Sequence, residues 1–119
     1  MFDFSNDCKY ITKEKIIACA LGLNKTELII FSILLENNKN NKEITSKCIK
    51  SKLNLDITNI QRYLKNLIEK DLVIRSKHNL STSGYIYIYK IKDLSYIKQK
   101  ILENTTKLFE KIEQEIITI

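Results

Sequence analysis

Apolar residues in the first third of the chain recur at helical spacing, with helix-ending and helix-starting residues between them. A helix is predicted from near Thr12 to Gly22, a residue type typical of the position after a C-terminal cap. Its apolar stripe consists of Ile16, Ile17, Ala20 and Leu21. Asn24 and Glu27 are spaced for a capping box at the start of a second helix. Residues 28–35 are apolar on nearly every side, so we expect this helix to be central and buried.

The middle of the chain predicts a loop and two further helices. Residues 36–42 are polar and rich in turn formers, which indicates a loop. Thr45 is placed to cap a short helix through Lys52. Asp56 is placed to cap a longer helix to residue 70, whose apolar positions recur at steps of three and four. These positions are Ile57, Ile60, Leu64, Leu67 and Ile68.

After Asp71 the apolar period changes from that of a helix to that of a strand. Residues 72–75 form a short β-branched run, and residues 85–91 alternate large side chains. Residues 78–84 between them are turn formers, so 73–91 is predicted to be a β-hairpin. The tyrosines of its second strand suit a half-buried pleated face, which favours packing over exposed stacking platforms.

The last segment, from Leu94 to the end, carries one apolar stripe without a helix breaker. A helix of this length reaches about 35 Å, which is more than a domain of this size can cover. A second copy of the chain is the simplest partner for the uncovered part, since two-fold homodimers are common, and the alternative is a helix folded back onto its own domain. The predicted interface residues are Leu94, Ile97, Ile101, Leu108, Phe109, Ile112 and Ile116.

Composition excludes several classes of protein. The chain has 119 residues, 44% of them hydrophobic and 29% charged, which fits one globular domain. No apolar run approaches membrane-spanning length and the N-terminus lacks a basic signal region, so we expect a cytoplasmic protein. The single histidine, two glycines and three cysteines without a Cys-x-x-Cys spacing predict no metal, no cofactor and no enzyme activity. The position of Cys19 between apolar neighbours favours a buried thiol over a redox sensor.

The positive charge is concentrated in the middle of the sequence. Residues 42–92 hold eleven lysines and arginines against four acidic residues, whereas the segments on either side are close to neutral. A local excess of seven charges is expected of a surface that binds a polyanion, although a solvated lysine-rich surface gives a similar count.

The order of these elements resembles a winged helix-turn-helix protein from about Leu23 to Ile91. Residues 23–27 resemble the start of the first domain helix in archaeal and bacterial regulators of the TrmB and MarR kinds, and residues 43–49 resemble their positioning helix. Residues 55–73 are similar to their recognition helix running into the first wing strand. Asp71 stands where these families mostly have glycine, which implies a left-handed backbone there. The resemblance therefore implies a mainly α fold with a small β-hairpin wing and a long C-terminal dimerisation helix.

A DNA-binding role for this fold assigns residues to two kinds of contact. The recognition helix 56–70 is expected in the major groove, with hairpin 73–91 as the wing. The predicted base contacts are Thr58, Asn59, Gln61 and Arg62. Phosphate contacts hold the register without reading sequence. They are predicted for Thr45, Lys47, Lys50, Lys52, Lys65, Arg75, Lys77 and His78.

Together these features predict three regions and one leading function. Residues 1–22 form an N-terminal helix with a dimer contact, 23–92 the DNA-binding domain, and 93–119 the dimerisation helix. The leading hypothesis is a homodimeric, sequence-specific transcriptional regulator that binds double-stranded DNA. The alternative is a winged-helix protein–protein interaction module without DNA binding. No residue pattern identifies a small-molecule effector.

Overall fold

The computed structural model of the chain describes residues 12–40 and 42–119. These residues form five helices and one antiparallel hairpin. In chain order they are α1 (Lys13–Leu21), α2 (Lys25–Lys39), α3 (Ser46–Lys52), α4 (Ile57–Glu69), β1 (Val73–Asn79), β2 (Tyr85–Ile91) and α5 (Leu94–Ile117). Residues 1–11, which include Cys8 and half of the predicted N-terminal region 1–22, lie outside the described residues, as does Asn41.

Short-range capping sets the ends of the first two helices as predicted. The Thr12 hydroxyl accepts a hydrogen bond from the Lys15 amide at 3.2 Å, and Gly22 ends α1 in the left-handed region at φ 66°. The Asn24 side chain accepts from the Glu27 amide at 2.8 Å, and the Glu27 carboxylate accepts from the Asn24 amide at 2.9 Å. Both donors would otherwise be unpaired, so this capping box stabilises the start of α2.

Two local predictions in α1 and α2 are wrong. The predicted loop 36–42 begins too early, because α2 continues to Lys39. Asn37 is buried and its side-chain amide donates to the Ile33 carbonyl at 2.8 Å, so the polar residue is satisfied inside the helix. Cys19 is exposed, since only the neighbouring positions of α1 face the core.

The core lies between α2, α4 and the base of the hairpin. Ile60, Leu64 and Leu67 of α4 are fully buried against Phe31 and Leu34 of α2. Asp56 occupies the N-cap position of α4, but its side chain makes no capping hydrogen bond, unlike the prediction. The helical periodicity of α4 is confirmed, because packing of one apolar face supplies most of a helix's stability in a domain.

The hairpin is connected to the helices by the turn at Asp71 and by backbone pairing with the segment before α3. Asp71 turns the chain out of α4 at φ 64°, which confirms the left-handed backbone implied by the resemblance. In the hairpin Val73 pairs with Ile91 and Asn79 with Tyr85. The Tyr89 amide donates to the Ile44 carbonyl at 2.8 Å, so the segment before α3 pairs with the free edge of β2. This pairing, which the sequence pattern did not predict, anchors the hairpin beside α3.

Helix α5 begins in the core and ends far outside it. The side-chain amide of Asn104 donates to the Ala20 carbonyl of α1 at 2.8 Å, and beyond Asn104 every residue of the chain is exposed. The molecule is therefore elongated, with a longest dimension of 66 Å and a radius of gyration of 17.0 Å. A compact chain of this length has a radius of gyration of about 13.5 Å.

The predicted dimer residues of α5 divide into two groups. Ile97 is only 2% exposed and belongs to the core of its own chain, so its assignment to an interface is corrected. Leu94 and Ile101 are half-buried against the same core. The exposed members are Leu108, Phe109, Ile112 and Ile116. The first turns of the predicted stripe therefore pack internally, and the later turns lack a covering partner within the described chain.

Among the described residues, no single helix has the length and apolar character needed to cross a membrane. Helices α1 and α2 reach that length only together, across a bend of 112°.

Candidate nucleic-acid interface

The outward face of α4 carries the residues predicted to contact bases. Thr58, Gln61 and Arg62 are exposed, and Asn59 is half-buried. Their direction follows from the opposite face, where Ile60 and Leu64 are held in the core. The Arg62 guanidinium lies 5.1 Å from the centre of the Tyr63 ring, which favours one orientation of a long side chain. The helix thus presents hydrogen-bonding side chains along a solvent-facing surface.

Helix α3 contributes exposed lysines beside this face. Lys47, Lys50 and Lys52 are exposed on a helix that packs against α4. The Thr45 hydroxyl caps α3 by accepting from the Cys48 amide, and it also lies 3.3 Å from Cys48 Sγ. This side-chain hydrogen bond lowers the pKa of the Cys48 thiol. To contact a phosphate, the Thr45 hydroxyl must break its hydrogen bond to Cys48 Sγ and donate to the phosphate instead.

A groove of about 360 Å³ separates α4 from the wing. Gln61, Arg62 and Lys65 line it on the helix side, and Arg75 and Tyr87 line it on the wing side. All three cationic side chains are exposed, so their charges face the same open space. A concave, positively charged surface of this kind attracts an anionic ligand such as a phosphate chain.

The wing carries two cation–aromatic pairs that the sequence pattern did not predict. The Arg75 guanidinium lies 4.1 Å from the centre of the Tyr87 ring, and Lys77 Nζ lies 4.1 Å from that of Tyr85. The two rings meet edge to face at 5.2 Å. The packing interpretation of the tyrosines is confirmed for Tyr89, which is buried, and is wrong for Tyr85, which is 49% exposed. We call these four side chains, Arg75, Lys77, Tyr85 and Tyr87, the wing ladder.

The structure does not bring every predicted phosphate contact to one surface. Alternate residues of a strand point to opposite faces of a hairpin. His78 is therefore on the face opposite Arg75 and Lys77, although it is exposed. The predicted contact residues that do converge on the groove are Gln61, Arg62 and Lys65 of α4 and Arg75 of the wing.

Polar contacts at the end of α4 connect this interface to the rest of the chain. Lys70 Nζ donates to the Gly22 carbonyl at 2.6 Å and to Glu27 Oε1 at 3.0 Å. Burial raises the pKa of Glu27, but hydrogen bonds from the Asn24 amide and from Lys70 outweigh it, so the net pKa is lowered. The end of helix α4 is thereby joined to the junction of α1 and α2.

A second cluster connects the end of α4 to α5. Asp71 accepts hydrogen bonds from Lys92 and from the Tyr96 hydroxyl, and these bonds lower the pKa of Asp71. Lys100 Nζ donates to the Lys70 carbonyl at 3.1 Å. The sequence pattern did not predict these contacts, because they join positions more than twenty residues apart. They hold α4, the wing and α5 in one arrangement.

Three helices around a buried α4 face, followed by a two-stranded hairpin and a long C-terminal helix, define a winged-helix protein. The model of the DnaD N-terminal domain family matches residues 15–115, and the chain belongs to that family. The finer resemblance to TrmB and MarR regulators stays a prediction.

Relatives and solved structures share this architecture. An uncharacterized protein of Methanocaldococcus jannaschii is 31% identical over 92% of this chain and 87% of its own length. A Methanosarcina mazei structure described as a possible transcriptional regulator is 34% identical, covers 99% of this chain and 95% of its own, and superposes with a TM-score of 0.76. A mutant of MepR from a multidrug-resistant clinical isolate of S. aureus has a TM-score of 0.57 at 18% identity, over 98% of this chain and 83% of its own, and shows the fold alone.

Proposed function

We propose that the protein is a homodimeric, sequence-specific DNA-binding transcriptional regulator of the TrmB/MarR-like kind that acts in the cytoplasm and catalyses no reaction. Helix α4 lies in the major groove of double-stranded DNA, and the wing follows the adjacent backbone. Thr58, Asn59, Gln61 and Arg62 contact base edges. The phosphate contacts are Lys47, Lys50, Lys52, Lys65, Arg75 and Lys77.

The convergence of α4 with Arg75 and Tyr87 of the wing on one basic groove carries this proposal. Gln61 and Arg62 provide the two side-chain types that pair in bidentate fashion with adenine and guanine. Lys65 and Arg75 stand on either side of the groove, where they neutralise phosphates and set the register. The description of the similar Methanosarcina mazei protein as a possible transcriptional regulator supports the same role.

Fluorescence anisotropy with labelled duplex DNA tests the proposal. Fragments from the chain's own genome are first selected for binding at low salt, and the best fragment is then titrated. We expect the Arg62→Ala/Lys65→Ala variant to lose at least about 2 kcal/mol of binding free energy. The matched control is Lys107→Ala/Lys111→Ala, which removes the same charge from the exposed end of α5 and is expected to bind normally.

The alternative function, a protein-interaction module, is favoured by one observation. Leu102, Phe109 and Ile116 of α5 are each at least 60% exposed, and apolar surface of this kind is commonly covered by protein. Absence of duplex binding by the wild-type protein at low salt would favour this alternative. Equal binding by the Arg62→Ala/Lys65→Ala variant would instead remove the outward face of α4 from the DNA interface.

A further inference from the structure

The bare part of α5 has a regular seven-residue repeat. Leu102, Phe109 and Ile116 follow one another at this spacing, and so do Thr105 and Ile112. Residues seven apart stay on one side of a helix and form the seam of a helix pair. Leu102, Phe109 and Ile116 are 63%, 62% and 60% exposed. The seam therefore has the pattern of a helix–helix contact and no covering element among the described residues.

An apolar cleft of about 390 Å³ lies beside the other end of the same helix. Its walls come from α1, α2 and the first two turns of α5, and they include Ile16, Leu35, Leu94 and Ile101. The cleft therefore extends the exposed seam of α5 toward the core. Three lysines also line it, namely Lys13, Lys39 and Lys98.

We propose that a second copy of the chain packs its α5 antiparallel to this one, with the two-fold axis at Thr105 and the partner's residues 109–116 over the cleft. This inference rests on the homodimer of the proposed function. It adds the relative direction of the two α5 helices and the register between them. The exposed seams of the two α5 helices then cover each other, and residues 109–116 of each copy cover the cleft of the other.

The register follows from symmetry about Thr105. In an antiparallel pair, residues equally far from the axis lie at the same level. Ile101 is then level with the partner's Phe109, and Leu102 with the partner's Leu108. Leu94, at the inner end of the cleft, is level with the partner's Ile116. Leu102, Phe109 and Ile116 each gain an apolar counterpart in this register, whereas Ile112 lies level with the partner's Lys98.

Charge favours the same arrangement. Residues 108–119 hold three glutamates, Glu110, Glu113 and Glu115, and one lysine, whereas the cleft is lined by lysines. The partner's Glu113 reaches the level of Lys98 to within one residue, and the partner's Glu115 reaches the level of the cleft's inner end. A parallel pair leaves the acidic ends of both tails together and both clefts uncovered, which like-charge repulsion disfavours.

The dimensions also agree with binding to two half-sites. Leu94 is eleven residues from Thr105, so at 1.5 Å per residue the two Leu94 positions lie about 33 Å apart along the pair. Half-sites of a dimeric DNA-binding protein are commonly about 34 Å apart, one turn of the duplex. A parallel pair brings both DNA-binding regions to the same end of the tails.

Cysteine cross-linking of the full-length protein tests the direction without DNA. Cys8, Cys19 and Cys48 are first replaced by serine. Thr105→Cys then lies on the axis, and we expect it to form a disulfide with its own copy under mild oxidation. Ile116→Cys is the matched control, because its two copies are about 33 Å apart in the antiparallel dimer and cannot be bridged. A mixture of Lys98→Cys and Ile112→Cys proteins is expected to cross-link between the two variants.

Sedimentation measures the same contact independently. We expect Ile112→Lys to raise the dimer dissociation constant roughly tenfold or more, and Lys107→Ala to leave it unchanged. Circular dichroism melting confirms that each variant is folded. Self-cross-linking of Ile116→Cys, with or without self-cross-linking of Thr105→Cys, or a monomer at high micromolar concentration, overturns the proposed pairing. A parallel dimer that still binds duplex DNA refutes the proposed direction and register and leaves the proposed function intact.

Discussion

At the scale of single residues, Glu27 joins two parts of the fold. It is 3% exposed, caps α2 through the Asn24 amide and pairs with Lys70 at the end of the recognition helix. Because its folded-state pKa is lowered, the pair contributes stability above the unfolded pKa of a glutamate, about 4.3. That contribution is lost as the pH falls through the folded pKa.

We expect Glu27→Gln to keep the capping box but to lose the ion pair, which reduces the free energy of unfolding at pH 7 by about 1–3 kcal/mol. The difference from wild type is expected to shrink as the pH falls from 7 to 3, because the falling pH protonates the wild-type carboxylate and removes its charge. Urea unfolding at both pH values measures it. An equal difference at pH 7 and pH 3 would contradict the assigned role of the charge, and the exposed Glu103→Gln serves as control.

Arg62 and Lys65 are neighbours on α4 with different expected roles. Arg62→Ala is expected to cost about 1–3 kcal/mol on the selected site and to relax the base preference at one position, since a bidentate base contact is lost. Lys65→Ala is expected to weaken binding equally on all sequences and to lower the salt dependence. Anisotropy titrations on single-base variants of the site separate the two effects. If the Lys65→Ala variant lost the base preference instead, Lys65 and not Arg62 would be the residue that contacts the base.

At the scale of elements, the wing is an ordered hairpin whose cations rest on aromatic rings. An arginine stacked on a tyrosine presents its hydrogen-bond donors in a restricted orientation, so less conformational entropy is lost on binding. The wing ladder therefore orients Arg75 toward the groove it shares with α4.

Tyr87→Leu retains an apolar side chain of moderate size and removes the ring beneath Arg75. We expect affinity for duplex DNA to fall by about 0.5–1 kcal/mol, the value of one exposed cation–aromatic contact. The slope of log affinity against log salt is expected to stay the same, because no charge is removed. A titration at three salt concentrations tests this, with Arg75→Ala as the comparison that changes both affinity and slope.

At the scale of the whole molecule, the charge of the middle segment predicts a strong salt dependence. Lys47→Ala/Lys50→Ala removes two proposed phosphate contacts in each subunit, hence four in a dimer. We expect the salt slope to become shallower by about 3 to 4, since each phosphate contact contributes about 0.9. Lys107→Ala/Lys111→Ala is expected to keep the wild-type slope. An unchanged slope in the first variant would remove α3 from the interface.

The proposed dimer predicts a spacing requirement in the DNA. Two recognition helices related by two-fold symmetry reach half-sites about one turn apart on the same side of the duplex. Inserting about 5 base pairs between the half-sites rotates one of them to the opposite side, so affinity is expected to fall to that of a single half-site. An insertion of about 10 base pairs keeps both half-sites on the same side of the duplex and changes only the distance between them. Equal affinity for all three duplexes would refute the two-site arrangement.

The sequence by itself determined the order of the helices, the hairpin and most of their ends. These features depend on contacts within a few residues, such as the capping box of Asn24 and Glu27 and the left-handed glycine, Gly22, that ends α1, which residue type encodes. The outward face of α4 was also predictable, because a helical period specifies which side of a helix is polar.

Only the tertiary structure decided which apolar residues of α5 are buried and which distant side chains pair with each other. Ile97 and Leu108 are both apolar and lie on the same predicted stripe, but Ile97 is buried in the core and Leu108 is exposed, because the domain ends beside Asn104. The pairing of Glu27 with Lys70 and of Arg75 with Tyr87 likewise depends on how distant segments pack. Short-range patterns carry no information about those distances, and packing determines which polar and apolar groups meet.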